Sequence, residues 1–351
     1  MNDIKITKIA KSRVSDFDFD NMPPFGHAFT EHMFVADYID GEWKNFEIKP
    51  LQNLSLHPAN LTLHYGQTIF EGMKAFFTND NEPILYRPLD HAKRFNRSAH
   101  RMSMPEIPVD LFIDAIKALV KLEINWIPKA VGSALYIRPL MIAMDDVVGV
   151  KPSKTYKFIV LTLPSGPYYN RALSLKASMN YVRAVKGGIG EAKTAGNYGA
   201  SLYPFNLAKE MGYDQLMWLD AKEHKYVQEI GTMNIFFVIG DTVVTPMLDG
   251  AVLHGITRNS IITLLKDKGY KVEERLLSID ELMDAYDKGE LKEVFGAGTA
   301  AIVAKINKLD INGKIMEFDS DSFEIADYAK NYINDVRKGV IEDKYGWIEK
   351  I

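Results

Sequence analysis

The stretch Glu191-Ala-Lys193-Thr-Ala-Gly196-Asn-Tyr198-Gly199 places one lysine among small residues, just before a run from Ala200 to Met211 that favours a helix. A lysine amine can form a Schiff base with an aldehyde, and small neighbouring residues suit an amine that must meet a bulky, planar partner. The same pattern is also typical of a solvated lysine in a surface loop. Features elsewhere in the chain must decide between these two interpretations.

The composition is that of a globular protein that acts on small molecules. The 351 residues are 47% apolar and 25% charged, and this length favours two domains. A net charge of −4 gives no field that attracts nucleic acid. Ile235-Phe-Phe-Val-Ile239 is too short to cross a membrane, and the first residues lack the apolar core of a signal peptide. Without cysteine, disulfides and thiolate metal sites are excluded. We expect a cytoplasmic protein without a metal, a membrane partner or a nucleic-acid partner.

A cluster of turn formers, Pro164-Ser-Gly-Pro167, marks the expected domain boundary. Residues 1–165 mix short strands and helices and are predicted to form a small N-terminal α/β domain. Residues 166–182 are predicted to be a linker. Residues 183–351 then form the larger C-terminal domain, which carries Lys193.

Three separate segments could together bind a phosphate. Gly255-Ile256-Thr257 opens a predicted helix, whose first N–H groups attract anions. Gly298-Thr299 is a glycine-opened turn with a hydroxyl group, and Arg94 supplies a guanidinium. Each feature alone is also typical of ordinary solvated structure, and the sequence does not show that the three converge.

Glu229 ends a predicted strand whose other side chains, Tyr226, Val227 and Ile230, suit a core. A carboxylate in such surroundings is costly unless a cation pairs with it. Strand alternation leaves open that Glu229 points to solvent. The other interpretation is that it pairs with a cationic ring nitrogen of a cofactor.

The order and spacing of these motifs resemble the class IV (fold-type IV) pyridoxal-phosphate-dependent aminotransferases, and most closely the branched-chain amino acid aminotransferases. The resemblance extends over nearly the whole chain; its first-half motifs include Phe25-Gly26, Phe70-Glu71-Gly72-Met73-Lys74-Ala75 and Tyr136-Ile-Arg138-Pro139. It implies an α+β fold of two domains with the cofactor between them. Some members carry a Cys-x-x-Cys pair where this chain has Ala301 and Ala304, which excludes that kind of thiol regulation.

The resemblance implies a role for each residue of the cofactor site. Lys193 would hold pyridoxal 5′-phosphate as a Schiff base and then act as the acid and base of catalysis. Tyr198 would donate to the phenolic oxygen of the cofactor, and Glu229 would keep its ring nitrogen protonated. The phosphate would be bound by Arg94, Ile256, Thr257 and Thr299.

The implied reaction is reversible transamination between L-leucine, L-isoleucine or L-valine and 2-oxoglutarate. The substrate carboxylate would lie at Thr232 and at the Thr299-Ala300 turn, and Arg138 would pair with the distal carboxylate of glutamate. Val150 would lie on a loop that reaches the neighbouring subunit's site in a homodimer. The side-chain pocket would be formed by Phe25, Tyr65, Phe70, Tyr136, Tyr168 and Val150.

Three alternatives stay open on the sequence. A D-amino acid aminotransferase or an aminodeoxychorismate lyase would share the fold, although the long N-terminal segment with Phe25 and Tyr65 resembles the branched-chain enzymes instead. Gly296-Ala-Gly298-Thr-Ala-Ala301 fits the dinucleotide fingerprint, but the next residues favour a strand rather than the required helix. A non-catalytic binding protein would not need the Lys193 amine at all.

Overall fold

Two nine-stranded sheets, each packed against helices, form the computed structural model, which describes residues 3–351. The strands are β1 (Lys5–Ile6), β2 (His32–Ile39), β3 (Glu42–Pro50), β4 (Thr68–Phe70), β5 (Met73–Phe77), β6 (Pro83–Tyr86), β7 (Ala134–Ala143), β8 (Tyr156–Ser165), β9 (Leu173–Ala177), β10 (Gln215–Leu219), β11 (Val227–Ile230), β12 (Asn234–Ile239), β13 (Thr242–Pro246), β14 (Lys271–Arg275), β15 (Leu291–Gly298), β16 (Ile302–Ile311), β17 (Lys314–Glu317) and β18 (Ile348–Lys350). The helices are α1 (Leu61–Tyr65), α2 (Pro88–Arg101), α3 (Val109–Leu122), α4 (Ala195–Gly199), α5 (Leu202–Glu210), α6 (Ile256–Asp267), α7 (Ile279–Asp287) and α8 (Glu324–Lys338). The predicted α+β class is confirmed.

The chain divides into two units, and the division differs from the predicted one in its details. Unit 1 comprises 1–168, 192–195 and 335–351, and unit 2 comprises 169–191 and 196–334. Lys193 therefore belongs to unit 1, although the sequence placed it in the C-terminal domain. The last residues also belong to unit 1, because β18 pairs with β6. The predicted linker 166–182 contains β9, which is a strand of the second sheet.

The first sheet has the strand order β1-β3-β2-β8-β7-β5-β6-β18, with β4 beside β7, and apart from the β1–β3 pair its strands are antiparallel. The predicted hairpin at Asp40-Gly41 is present, and both residues have positive φ, as a tight turn of this kind requires. Helices α2 and α3 cover one face. Their buried side chains Phe95 and Phe112 pack with Phe158 of β8 in the core.

The second sheet has the order β11-β10-β9-β16-β15-β12-β13-β14, with β17 beside β16. It mixes parallel pairs, such as β9 with β10, and antiparallel pairs, such as β12 with β15. The succession of strands β10, β11 and β12 along the chain predicts a three-stranded meander, which is wrong at its second step, because β12 pairs with β13 and β15 instead. Helix α7 begins with the predicted cap, in which Ser278 accepts the N–H of Glu281.

Two other local predictions are corrected by the structure. Asp110 has the residue type of a helix cap, which predicts a helix from Leu111, but α3 begins two residues earlier, after Pro108, and Asp110 lies in its first turn. The helix predicted for Ala200 to Met211 is shorter, α5, and Tyr198 lies in the separate helix α4. Pro204 lies in the first turn of α5, where its missing N–H costs no intrahelical hydrogen bond.

None of the helices between residues 3 and 351 is long and apolar enough to cross a lipid bilayer.

Candidate functional site

The backbone around Lys193 is fixed within unit 1. Its carbonyl accepts the N–H of Phe70 at 2.9 Å, and its own N–H donates to Ser98 Oγ at 2.9 Å. Next to it, Thr194 Oγ1 donates to the carbonyl of Thr68 at 2.6 Å. The Lys193 Nζ atom lies 4.8 Å from the centre of the Phe70 ring, and the side chain is half-buried. This ordered, partly covered lysine does not match the solvated-loop interpretation.

Arg94 is held by a buried carboxylate on the same unit. Its Nε and Nη2 atoms donate to the two oxygens of Glu71 at 2.6 and 2.8 Å, and His91 Nδ1 lies 2.9 Å from the second oxygen. Burial alone would raise the pKa of the Glu71 carboxyl, but Arg94 and His91 outweigh it and hold that pKa well below its usual range. Glu71 thus fixes the orientation of the Arg94 guanidinium.

Neither Glu71 nor His91 is among the residues predicted from the sequence to have a role. The available signal was an acid inside an otherwise apolar motif, Phe70–Ala75, followed by a helix that carries a histidine and Arg94 on one face.

Two further cations are buried in unit 1. Lys74 on β5 and Arg337 at the end of α8 are 5% and 3% exposed. The Arg337 guanidinium lies 4.9 Å from the Phe76 ring and 4.2 Å from the Tyr86 ring. Burial, and then the charge of Arg337, lower the pKa of Lys74 from 10.5 to about 7.

We predict that stability rises with pH because of Lys74. Its pKa is lower in the folded protein than in the unfolded chain, so between pH 7 and 10.5 the unfolded state binds the additional proton. The free energy of unfolding should then increase above pH 7 by up to about 1.4 kcal/mol per pH unit, and Lys74→Met should remove this increase. Urea unfolding at pH 7, 8 and 9 measures it. Equal pH dependence in both proteins would contradict the prediction.

An aromatic cluster with one arginine lies in unit 1. The Phe25 ring centre is 4.9 Å from that of Tyr136 and 5.5 Å from that of Tyr168. Arg138 Nη2 donates to the Tyr136 hydroxyl at 3.0 Å, and its guanidinium lies 4.7 Å from the centre of the Phe70 ring. Four of the six predicted pocket residues are therefore neighbours of one another or of Arg138.

Arg138 has no acidic partner within residues 3–351, and the N–H of its buried Nε atom finds no acceptor among them. A guanidinium left without a carboxylate in an aromatic pocket suits an acidic ligand. Gly72 makes room for this arrangement, since a Cβ there would lie 2.0 Å from the Tyr136 hydroxyl oxygen.

Tyr65 and Val150 lie in another part of unit 1. Tyr65 ends α1, and Val150 lies in the loop after β7. The start of α1 is joined to the beginning of that loop, because Leu61 N–H donates to the Asp145 carbonyl. The two side chains are 41% and 87% exposed in the single chain.

Glu229 is buried in unit 2, so the solvent-facing interpretation is wrong. Its Oε1 atom accepts the N–H of Leu253 at 2.6 Å and lies 3.4 Å from Asn234 Nδ2. Its Oε2 atom lies 3.1 Å from Arg183 Nε, a distance that suits an ion pair. The N–H of that Nε is not aimed at the carboxylate well enough for a hydrogen bond, so we regard the contact as charge pairing.

The predicted residues Tyr198, Glu229 and Thr232 surround one small cavity of unit 2. Its lining consists of Arg183, Asn197, Tyr198, Ser201, Glu229, Gly231, Thr232 and Leu253. Arg183, which lines this cavity, is not among the residues predicted from the sequence. The only available signal was its position between the strand β9 and the Gly187-Gly188 turn.

Helix α6 begins shortly after Leu253, whose N–H donates to the Glu229 carboxylate. Asn234 Nδ2 also donates to the Leu253 carbonyl at 3.0 Å, two residues before the helix cap Gly255. Ile256 and Thr257 form the first turn, where the helix dipole favours an anion, and both are buried.

We predict that Gly255→Ala destabilises the protein by about 1–3 kcal/mol, as overpacking of a buried site does. A Cβ at this position would lie 1.9 Å from Asn234 Oδ1 and 3.1 Å from the Arg258 Cβ. Chemical unfolding measures the loss. Gly149→Ala is the control, because nothing lies within 4 Å of a Cβ there. Equal midpoints for the two variants would contradict the prediction.

The turn at Thr299-Ala300 joins β15 to β16. Ile302, which follows it, has φ of 64°, a conformation that costs a β-branched residue roughly 1–3 kcal/mol. Strained backbone of this kind often occurs at functional sites. A strand, not a helix, follows the Gly296–Ala301 segment, which removes the dinucleotide-binding interpretation.

The predicted cofactor residues are divided between the units. Arg94 and Lys193 belong to unit 1, whereas Tyr198, Glu229, Ile256, Thr257 and Thr299 belong to unit 2.

Comparison with known proteins finds similar sequences over most of the chain. Residues 68–309 match the model of the amino-transferase class IV family. The chain is 43% identical to branched-chain-amino-acid aminotransferase 2 of Bacillus subtilis, covering 94% of this chain and 93% of the relative. It is 45% identical to branched-chain-amino-acid transaminase 1 of the same organism, covering 93% and 94% of the two chains.

A solved structure gives the same result. A branched-chain amino acid aminotransferase from Escherichia coli has a TM-score of 0.76 and 27% identity, covering 91% of this chain and 98% of that one. The T.th. branched-chain amino acid aminotransferase in complex with N-(5′-phosphopyridoxyl)-L-glutamate has a TM-score of 0.73 and 26% identity, covering 90% and 97%.

Proposed function

The chain belongs to the class IV aminotransferases, among the branched-chain-amino-acid aminotransferases, and we propose that Lys193 and Glu229 are the centre of its reaction. It is a branched-chain-amino-acid transaminase, which moves an amino group between a branched-chain amino acid and a 2-oxo acid. The observation that supports the proposed residues best is the buried Glu229 carboxylate, held by Leu253 N–H and paired with Arg183.

The proposed cofactor is pyridoxal 5′-phosphate, and the chemistry of the residues present fits it. They offer an ordered, half-buried amine on Lys193, a buried carboxylate on Glu229 and the N-terminus of α6. When bound, this group supplies an electron-withdrawing ring that accepts charge as a bond to the substrate Cα breaks.

Each of the chain's own groups then has a defined task. Lys193 would hold the aldehyde of the cofactor, and its amine would carry the proton to and from the substrate Cα. Glu229 would keep a proton on the ring nitrogen, because a neighbouring carboxylate raises the pKa of a cationic base. Tyr198 would donate to the phenolic oxygen. The phosphate would be held by Arg94, Ile256, Thr257 and Thr299.

The substrate part of the proposal is supported by the aromatic cluster. Phe25, Phe70, Tyr136 and Tyr168 offer an apolar surface on which each buried methylene of a substrate contributes about 0.8 kcal/mol. Arg138 lies among them without an acidic partner in residues 3–351 and would pair with the distal carboxylate of glutamate or 2-oxoglutarate. Thr232 and the Thr299-Ala300 turn are proposed to bind the α-carboxylate.

The absorption spectrum of the purified protein tests the proposal. We expect a visible band that bleaches with L-leucine and returns with 2-oxoglutarate. A band that responds only to a D-amino acid would instead favour a D-amino acid aminotransferase of the same fold. If no band appears even after incubation with pyridoxal phosphate, the assignment of Lys193 is wrong.

The homodimer and the cytoplasmic location stay predictions. Val148 and Val150 are 68% and 87% exposed in one loop of the single chain, and grouped exposed apolar side chains are typical of an interaction surface, which supports the homodimer. Size-exclusion chromatography with light scattering measures the oligomeric state.

A further inference from the structure

One face of helix α2 carries three buried polar side chains. His91, Arg94 and Ser98 follow one another at intervals of three and four residues, which places them on the same side of the helix. His91 and Arg94 bind the Glu71 carboxylate. Ser98 binds the backbone of Lys193 instead.

The Ser98 hydroxyl joins two residues of the proposed cofactor site. Its Oγ atom accepts the N–H of Lys193 at 2.9 Å and donates to the carbonyl of Arg94 at 3.1 Å. Arg94 is proposed to bind the phosphate of the cofactor, and Lys193 its aldehyde. One hydroxyl group therefore connects the main chain at the residues proposed for the two ends of the cofactor.

A serine is otherwise a poor choice at position 98. It is fully buried, and its helix neighbours Ala92, Phe95 and Ala99 belong to the hydrophobic core of unit 1. Alanine is the better helix former, and a buried hydroxyl must be hydrogen-bonded to avoid a loss of stability. The residue type is therefore explained by the bond to Lys193 rather than by the helix or the core.

The backbone of Lys193 is held from two sides. Residues 192–195 belong to unit 1, although the chain before and after them belongs to unit 2. The Lys193 carbonyl accepts a main-chain N–H, that of Phe70, whereas the Lys193 N–H depends on the Ser98 side chain. A reacting group that is misplaced by about 1 Å can lose roughly 10²-fold in rate. The Ser98 bond therefore bears on the reaction of the amine.

We propose that Ser98 is a positioning residue for the Lys193 amine, an inference that rests on the proposed function of Lys193. The hydroxyl fixes the Lys193 Cα at a set place relative to the backbone of Arg94. From that place the amine would reach the aldehyde carbon of the cofactor and the Cα of the substrate. Ser98 acts on the reaction only through Lys193.

Hydrogen exchange of the full chain without cofactor tests the contact itself. In Ser98→Ala the Lys193 amide loses its acceptor. It should exchange at least about tenfold faster than in the wild type, because a hydrogen-bonded amide exchanges only when its bond opens. Mass spectrometry of the peptide that contains Lys193 measures the rate.

The consequence for the amine has three further readouts in Ser98→Ala. After mixing with pyridoxal phosphate, the visible band should form about tenfold more slowly than in the wild type. With L-leucine and 2-oxoglutarate, kcat should fall by a similar factor, while KM for L-leucine changes by less than about twofold because the substrate pocket is unchanged. The isotope effect on kcat with L-leucine deuterated at Cα should rise, since proton transfer by Lys193 becomes the slow step.

Two variants control for a general loss of stability. Thr245→Val removes another fully buried hydroxyl, which donates to the Ile235 carbonyl at 2.7 Å, and should leave band formation, kcat and the isotope effect unchanged. Ser98→Cys keeps a weak acceptor and should give values between those of the wild type and Ser98→Ala. It carries the test if Ser98→Ala does not fold.

Wild-type band formation and a wild-type isotope effect in the Ser98 variants overturn the proposal, whatever the exchange rate, because the hydroxyl would then be a structural contact only. Equal effects of Ser98→Ala and Thr245→Val overturn it as well. If the wild type itself formed no visible band, the proposed function of Lys193 would fail instead.

Discussion

Lys193→Ala should lower transamination between L-leucine and 2-oxoglutarate by at least about 10⁴-fold and abolish the visible band of the covalently bound cofactor. The variant loses both the amine that holds the aldehyde and the base that moves the Cα proton, and groups that act in this way contribute factors of this size. Steady-state rates and the absorption spectrum measure the two losses.

The fold should tolerate the change. The Lys193 side chain is half-buried, and its contact with the Phe70 ring contributes about 0.5–1 kcal/mol to the stability of the fold. The backbone bonds to Phe70 and Ser98 do not depend on the side chain. Lys209→Ala is the matched control and should keep full activity. Wild-type turnover in Lys193→Ala would show that the chemistry lies elsewhere.

Glu229→Gln should lower kcat by about 10²–10³-fold, the usual cost of removing one electrostatic group from an active site. The amide keeps the shape of the side chain but not the negative charge that would hold a proton on the ring nitrogen. The buried Arg183 would also lose its only acidic partner within residues 3–351. Steady-state kinetics measure kcat, and chemical unfolding measures the accompanying loss of stability.

The control for this variant lies on the same strand. Gln228→Leu changes the neighbouring buried side chain but leaves the carboxylate, the Leu253 N–H bond and Arg183 in place. It should keep kcat. If Glu229→Gln had the kcat of the wild type, the carboxylate would be a structural partner of Arg183 and no more.

The contacts of Glu229 also explain why this region is sensitive to small changes. One carboxylate joins β11 to the residues before α6, through Leu253, and to the chain after β9, through Arg183. Asn234 binds both the carboxylate and the Leu253 carbonyl. The Glu229 carboxylate therefore positions the Arg183 cation, the N–H groups of Leu253 and Asn234, and the start of α6. Gly255 leaves the space that the Asn234 side chain occupies.

Local elements were predictable because their signals are local. The Asp40-Gly41 and Asn312-Gly313 turns, the cap Ser278 and most strands of alternating pattern needed only short windows of sequence. Predictions failed where a neighbouring residue determined where an element begins. Asp110 had the residue type of a cap, but Pro108 already starts the helix with its fixed φ, so α3 begins earlier.

The amino-acid sequence alone indicated the family, the α+β class and the identity of the residues proposed for catalysis, because the motifs keep their order and spacing over nearly the whole chain. Tertiary structure alone decided which side chains are neighbours. Glu71 binds Arg94 across 23 positions, and Arg183 pairs with Glu229 across a strand and two helices. Such pairs form because a buried charge must be compensated wherever folding places a partner, and no short stretch of sequence contains that information. The Gln228 Oε1 atom, which no donor in residues 3–351 reaches, is likewise visible only once the core around it is known.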